Sequence, residues 1–162
     1  MTTVHWHGMK LPAYSDGGPH SPIEVGKTWK PEWEITQPAA TLWYHPHPHM
    51  ATATHAYRGL AGMFLIDDDV ASDLDLPQDY GVDDIPVVIM DAKFTEDGQI
   101  DEKSDNTLGL LGTTPLVNGI TNARFDAITR RVRLRLLNGA SMRFYTLELS
   151  NGPFHVIATD TG

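Results

Sequence analysis

Prolines at 46 and 48 interleave with histidines in the segment Trp43-Tyr44-His45-Pro46-His47-Pro48-His49. A residue that precedes proline is pushed out of the helical region, so this stretch runs extended. Residues i and i+2 of an extended chain project from one face, which sets His45 and His47 side by side, about 6 to 7 Å apart at ~3.3 Å rise per residue. The element His5-Trp6-His7-Gly8 does the same with His5 and His7. Neutral imidazole is the side chain proteins use most often to hold transition metals. Two nitrogens sharing one ion at bonds of about 2 Å sit closer together than that spacing. Each pair therefore either tilts inward to chelate one ion or reaches two neighbouring ions, and two such elements point to a metal cluster.

The other histidines carry less. His20, His55 and His155 stand alone, and an isolated histidine is ordinarily a surface residue or a satisfied core residue. His49 extends the alternation but adjoins Met50 and a run of small residues, where the chain is expected to leave its strand. The paired histidines, by contrast, flank or follow aromatic residues, a composition for which a solvated face has no use.

Alternating or continuous apolar runs predict strands over residues 2–7, 28–35, 41–47, 59–67, 85–92, 114–118, 131–137, 143–149 and 154–159. Pro31 marks the second of these as an edge, and the glycines of 59–67 are expected to permit close backbone approach near the metal site. Short strands separated by turn signals define an all-β chain built as sandwiches. Residues 67–84 carry eight acidic residues and no basic one, and read as a solvated linker with a short helical turn. The expected organisation is a unit over 1–67, a linker over 68–84 and a second unit over 85–162. Arg131, Arg133 and Arg135 alternate with Val132, Leu134 and Leu136, which predicts the solvent side of a half-buried strand. The formal net charge of −9 argues against nucleic-acid binding, since phosphate recognition needs a basic face. No apolar run approaches membrane-spanning length.

Several motifs in order resemble the multicopper oxidases. His5-Trp6-His7-Gly8, Asp16-Gly17-Gly18-Pro19, Leu42-Trp43-Tyr44-His45-Pro46-His47, and Gly59-Leu60-Ala61-Gly62 with Phe64-Leu65-Ile66-Asp67 are similar to the first cupredoxin domain of that family. Leu116-Val117-Asn118-Gly119, residues 133–140 and the terminal Ala158-Thr159-Asp160-Thr161-Gly162 resemble the second domain of its three-domain bacterial members, the group of laccases, bilirubin oxidases and cuprous oxidases. The resemblance implies cupredoxin-like Greek-key β-sandwiches, here two partial domains: the C-terminal part of the first and the N-terminal part of the second. It further implies that His5 binds a type 2 copper and that His7, His45 and His47 bind the paired type 3 coppers of a trinuclear cluster. The implied activity couples one-electron oxidation of a substrate to four-electron reduction of dioxygen to water. The reducing substrate would be phenol-like, bilirubin-like or a metal ion, and the expected compartment is periplasmic or extracellular.

A blue, type 1 copper needs a cysteine thiolate beside two histidines, and the chain has no cysteine. The resemblance places that centre in a further C-terminal domain or partner subunit, which would also complete the cluster. The chain is thus expected to be a fragment that is inactive by itself. No leader with a basic start and an apolar run precedes the first motif. Two other readings compete. A copper-free cupredoxin scaffold used as a structural or interaction protein, as in some cell-division relatives, would have lost the ligand histidines. A mononuclear site of the cupin kind would place a glutamate soon after His-x-His, whereas no acidic residue follows His47 before Asp67.

Overall fold

A computed structural model describes residues 1–103 and 109–160. Thr161 and Gly162, the last two residues of the terminal motif, lie outside that range. The first sheet consists of β1 (His5–His7), β2 (Ala40–His45) and β3 (Gly62–Ile66) in the order β1-β2-β3, with both pairs antiparallel. β2 combines a β-branched residue with aromatics, a composition that suits a pleated, half-buried surface. Its alternation turns Ala40 and Leu42 into a core formed with Met9 and Ile66, against which Trp6, Leu11, Trp33 and Phe64 pack. Leu42 is 1% exposed, and burying a leucine contributes about 1.5–3 kcal/mol. Thr41, Trp43 and His45 occupy the other face of the same strand.

Helix α1 (Thr52–Tyr57) connects β2 to β3, and α2 (Asp69–Ser72) supplies the short helical turn expected in the acidic stretch. Asp68 caps α2 by accepting from the Ala71 amide at 2.7 Å, and it also accepts from the Ala39 amide at 2.9 Å. Those two backbone donors hold its carboxyl below the usual carboxylate range. The second sheet runs β5-β4-β6, from β4 (Asp84–Ala92), β5 (Thr114–Val117) and β6 (Arg133–Asn138); β5 is antiparallel to β4 and β6 is parallel to it. Pro86 is tolerated inside β4 because β5 begins its pairing only at Ile89. On the open side, the Asn118 side chain stands in for a strand. It donates to the Pro86 carbonyl at 2.9 Å and accepts from the Val88 amide at 2.8 Å. Tyr57 of α1 joins Met90, Ala92, Leu110 and Leu116 in a second core cluster, so α1 packs onto the second sheet.

Some expected strands do not form. Residues 28–35, 143–149 and 154–159 are extended or irregular and form no strand; their one pairing among the described residues is an isolated bridge from Leu149 to Gly152. An alternating pattern becomes a strand only where another segment completes its hydrogen bonds. Trp33 still packs inward against Trp6, with ring centroids 5.3 Å apart, whereas Phe144 is 95% exposed. The glycines of residues 59–67 do not serve the histidine side. Gly62 lies opposite Tyr44 in the ladder, and a Cβ there would fall 2.4 Å from the Tyr44 hydroxyl oxygen. Close approach is therefore needed on the core face.

The arginine expectation is corrected most sharply. Arg131 does face solvent and pairs with Asp75, but the side chains of Arg133 and Arg135 are only 18% and 5% exposed. In β6 the arginines face inward, while Leu136 is exposed. The cause is Asp84, the first residue of β4. It is 3% exposed and would be an uncompensated buried charge without a guanidinium beside it. Asp84 therefore belongs to the interior rather than to the solvated acidic stretch.

Candidate metal centre

Period-two alternation and ladder register together assemble the histidines. β1 and β2 pair so that His5 lies opposite His45, Trp6 opposite Tyr44, and His7 opposite Trp43. A slip of one residue would turn every one of these side chains to the other face. In the observed register His5, His7 and His45 each offer a nitrogen, and these ligand atoms all lie within 4.8 Å of one another. His47, just beyond the strand, brings its ring centroid to 5.4 Å from that of His5 and 5.9 Å from that of His45. Trp6 points away, into the cluster of Trp33, Tyr44 and Phe64.

The outer nitrogens are tied to the protein. His5 Nδ1 lies 3.0 Å from the Asp16 carbonyl oxygen and 3.3 Å from Asp16 Oδ2, and His45 Nδ1 lies 3.0 Å or less, at 2.9 Å, from the Pro46 carbonyl. A carbonyl only accepts, so in both rings Nδ1 carries a proton and Nε2 is the nitrogen turned to the other histidines. His45 Nε2 faces His7 Nδ1 at 3.2 Å. His47 Nδ1 is buried with no hydrogen-bond partner. Burial lowers the His45 imidazole below the usual histidine range; the Pro46 carbonyl opposes that shift, and the neighbouring His5, His7 and His47 reinforce it. The neutral form that results is the one that binds metals.

This donor set fits copper. Four imidazoles converge, one buried ring nitrogen lacks any protein partner, and imidazole suits copper. His20, His49 and His155 are exposed and stand apart from the cluster, and His55 shares a hydrogen bond of 3.2 Å with the Thr2 hydroxyl. A broad cleft of about 620 Å³ lined by Tyr14, Ser15, Trp29 and Trp33 contains no histidine.

Two residues at the site were not singled out from the sequence. Trp43 stacks on His7 with centroids 5.0 Å apart and on His45 with centroids 4.2 Å apart, which limits the rotation of both rings. Thr3, 1% exposed, accepts from the His47 amide at 2.6 Å. Each lies two positions before a histidine, so same-face alternation was the available signal.

The loop behind His5 depends on Gly17. Its φ is +70°, and a Cβ would fall 1.7 Å from the Val4 carbonyl oxygen. Gly17→Ala is expected to destabilise the chain by at least about 1–2 kcal/mol, the cost of the left-handed conformation alone. It should also weaken metal binding by displacing Asp16. Thermal unfolding without metal and a copper titration check the two effects separately.

Comparison with known proteins agrees with this geometry. Residues 1–71 match the multicopper oxidase family model. Over 162 residues the chain is 42% identical to the multicopper oxidase mco of Staphylococcus epidermidis, a match covering 99% of this chain and 36% of that protein. It is 43% identical over 156 residues to the cell division protein FtsP of Xenorhabdus nematophila, covering 96% of this chain and 33% of that one. A laccase from Pediococcus acidilactici superposes with a TM-score of 0.79 at 41% identity, over 86% of this chain and 30% of the laccase. The laccase-like multicopper oxidase CueO from Ochrobactrum sp. gives 0.79 at 44% identity, over 86% and 32%. The fold is accordingly all-β and cupredoxin-like, the class expected from the sequence. The chain belongs to the multicopper oxidase family. It spans about a third of the length of the curated relatives it matches.

Proposed function

We propose that the four imidazoles hold copper as part of a trinuclear cluster, His5 on a type 2 ion and His7, His45 and His47 on the type 3 pair. The protein carrying them would couple one-electron oxidation of a phenol-like, bilirubin-like or metal-ion substrate to reduction of dioxygen to water. The observation that carries this reading is the convergence of the His5, His7 and His45 nitrogens within 4.8 Å of one another. Bound copper supplies one-electron redox steps, and several ions together match the four electrons that dioxygen takes. The chain's own residues orient the donors. The Asp16 and Pro46 carbonyls fix two ring tautomers, Trp43 restrains two ring planes, and the buried setting keeps His45 neutral. The division into units over 1–67 and 85–162, joined by the stretch 68–84, belongs to the same proposal, as does a periplasmic or extracellular setting. Among the described residues no helix is long and apolar enough to cross a membrane.

A second reading, a copper-free cupredoxin scaffold for protein interaction, is favoured by the similarity to FtsP. Copper retained after exhaustive dialysis of the 162-residue chain supports the first reading; a chain that emerges copper-free supports the second. Because the chain has no cysteine, it offers no thiolate for a type 1 centre and no route of electron entry. We expect no sustained oxygen consumption with a phenolic donor and no intense blue absorption band from these residues alone. Sustained turnover with such a band would refute the assignment of electron entry to residues outside them.

A further inference from the structure

His47 is the histidine that the ladder does least to hold. It lies one residue beyond Pro46, outside β2, and its Nδ1 is buried without a partner. Its ring is therefore not oriented by a hydrogen bond of the kind that His5 and His45 make to carbonyl oxygens. What ties this residue to the site is its backbone amide, which donates to Thr3 Oγ1 at 2.6 Å.

Thr3 is well placed for that task. It is 1% exposed, precedes His5 by two positions, and so occupies the same face of the chain as His5 and His7. Its neighbour Thr2 is anchored by a two-way backbone bridge to Ile23 at 3.1 and 2.7 Å and by the contact of its hydroxyl with His55. The hydroxyl of Thr3 is thus a fixed acceptor, attached to the first histidine element and receiving the second. We infer that Thr3 is a positioning residue that sets His47 relative to His5 and His7, an inference that rests on the copper reading only for its effect on metal affinity. Without the hydroxyl, a part-buried amide loses its partner, which is costly, and the 46–48 loop moves to recover one. The ring of His47 moves with it.

Thr3→Val keeps the shape and removes the acceptor; Thr3→Ser keeps the acceptor. In the metal-free 162-residue chain, we expect Thr3→Val to shift the imidazole nitrogen NMR signals of His47 while leaving those of His7 near their original positions, and Thr3→Ser to restore them. In Cu(II) titrations, Thr3→Val should weaken binding by about 10-fold, within the range for loss of a supporting partner. The same change made in a His47→Ala background should cost nothing further, because the two act as a coupled pair. Unmoved His47 signals in Thr3→Val would overturn the inference, and so would an equal loss of affinity in both backgrounds. If the unaltered chain binds no copper, the copper reading fails, and the metal-free spectra still decide the role of Thr3.

Discussion

Replacing His45 by alanine is expected to weaken copper binding by well over the roughly 10–100-fold that loss of an outer partner costs. His45 is the most enclosed of the four imidazoles, 8% exposed, and it faces His7 Nδ1 at 3.2 Å and stacks on Trp43. Removing it takes away a donor and also the surface against which the other rings are packed. His7→Ala should behave similarly. His20→Ala and His155→Ala should leave copper content unchanged, because both side chains are exposed and apart from the cluster. Copper stoichiometry by elemental analysis, with circular dichroism to confirm folding, distinguishes the two groups. Equal copper content in His45→Ala and the unaltered chain would show that the cluster does not bind the metal.

The second large effect is on stability. Arg135 Nε and Nη2 bind both oxygens of Asp84 at 2.6 to 3.0 Å, and Nη1 donates to Thr41 Oγ1 at 2.7 Å. Thr41 shares the strand face of Trp43 and His45, so this buried pair links the second sheet to the histidine-bearing side of the first. Arg135→Ala strips the buried Asp84 carboxylate of its hydrogen-bonded partner and leaves it only Arg133 Nη1, 4.0 Å away; breaking a buried pair typically costs about 3–5 kcal/mol. Total stability for a domain is commonly only about 5–15 kcal/mol, so the fraction lost is large. The double replacement Asp84→Leu with Arg135→Met removes both charges and should cost far less. Urea denaturation of the three proteins checks the order, and a loss below about 1 kcal/mol in Arg135→Ala would contradict the role given to the pair.

The histidine pairs were legible because prolines and period-two geometry act locally: His45-Pro46-His47-Pro48 has few conformations open to it. What local pattern does not contain is register. That His5 meets His45, across a separation of forty residues, is decided by which apolar residues reach the core, here Ala40, Leu42 and Ile66. The arginine alternation in β6 shows the same limit from the other side. Period two separates two faces without saying which is inside, and Asp84, 51 residues away from Arg135, reverses the ordinary preference for burying leucine. The stretches 28–35, 143–149 and 154–159 carry strand-like sequence, and their irregular conformation follows from the lack of any partner among the described residues beyond the single bridge of Leu149 to Gly152. Thr3 carries no sequence signal of its role beyond its place in the alternation, and Trp43 is legible only as part of the histidine motif, because a hydroxyl acceptor and an aromatic plane are ordinary until the histidines are placed against them.

The convergence of two His-x-His elements on copper is tested most directly by anomalous X-ray scattering at the copper edge from crystals of the copper-loaded chain. The account predicts anomalous peaks at coordination distance, about 2 Å, from ring nitrogens drawn from His5, His7, His45 and His47, with contributions from both elements. Peaks confined to exposed His20, His49 or His155, or the absence of any peak among the four rings, would contradict it.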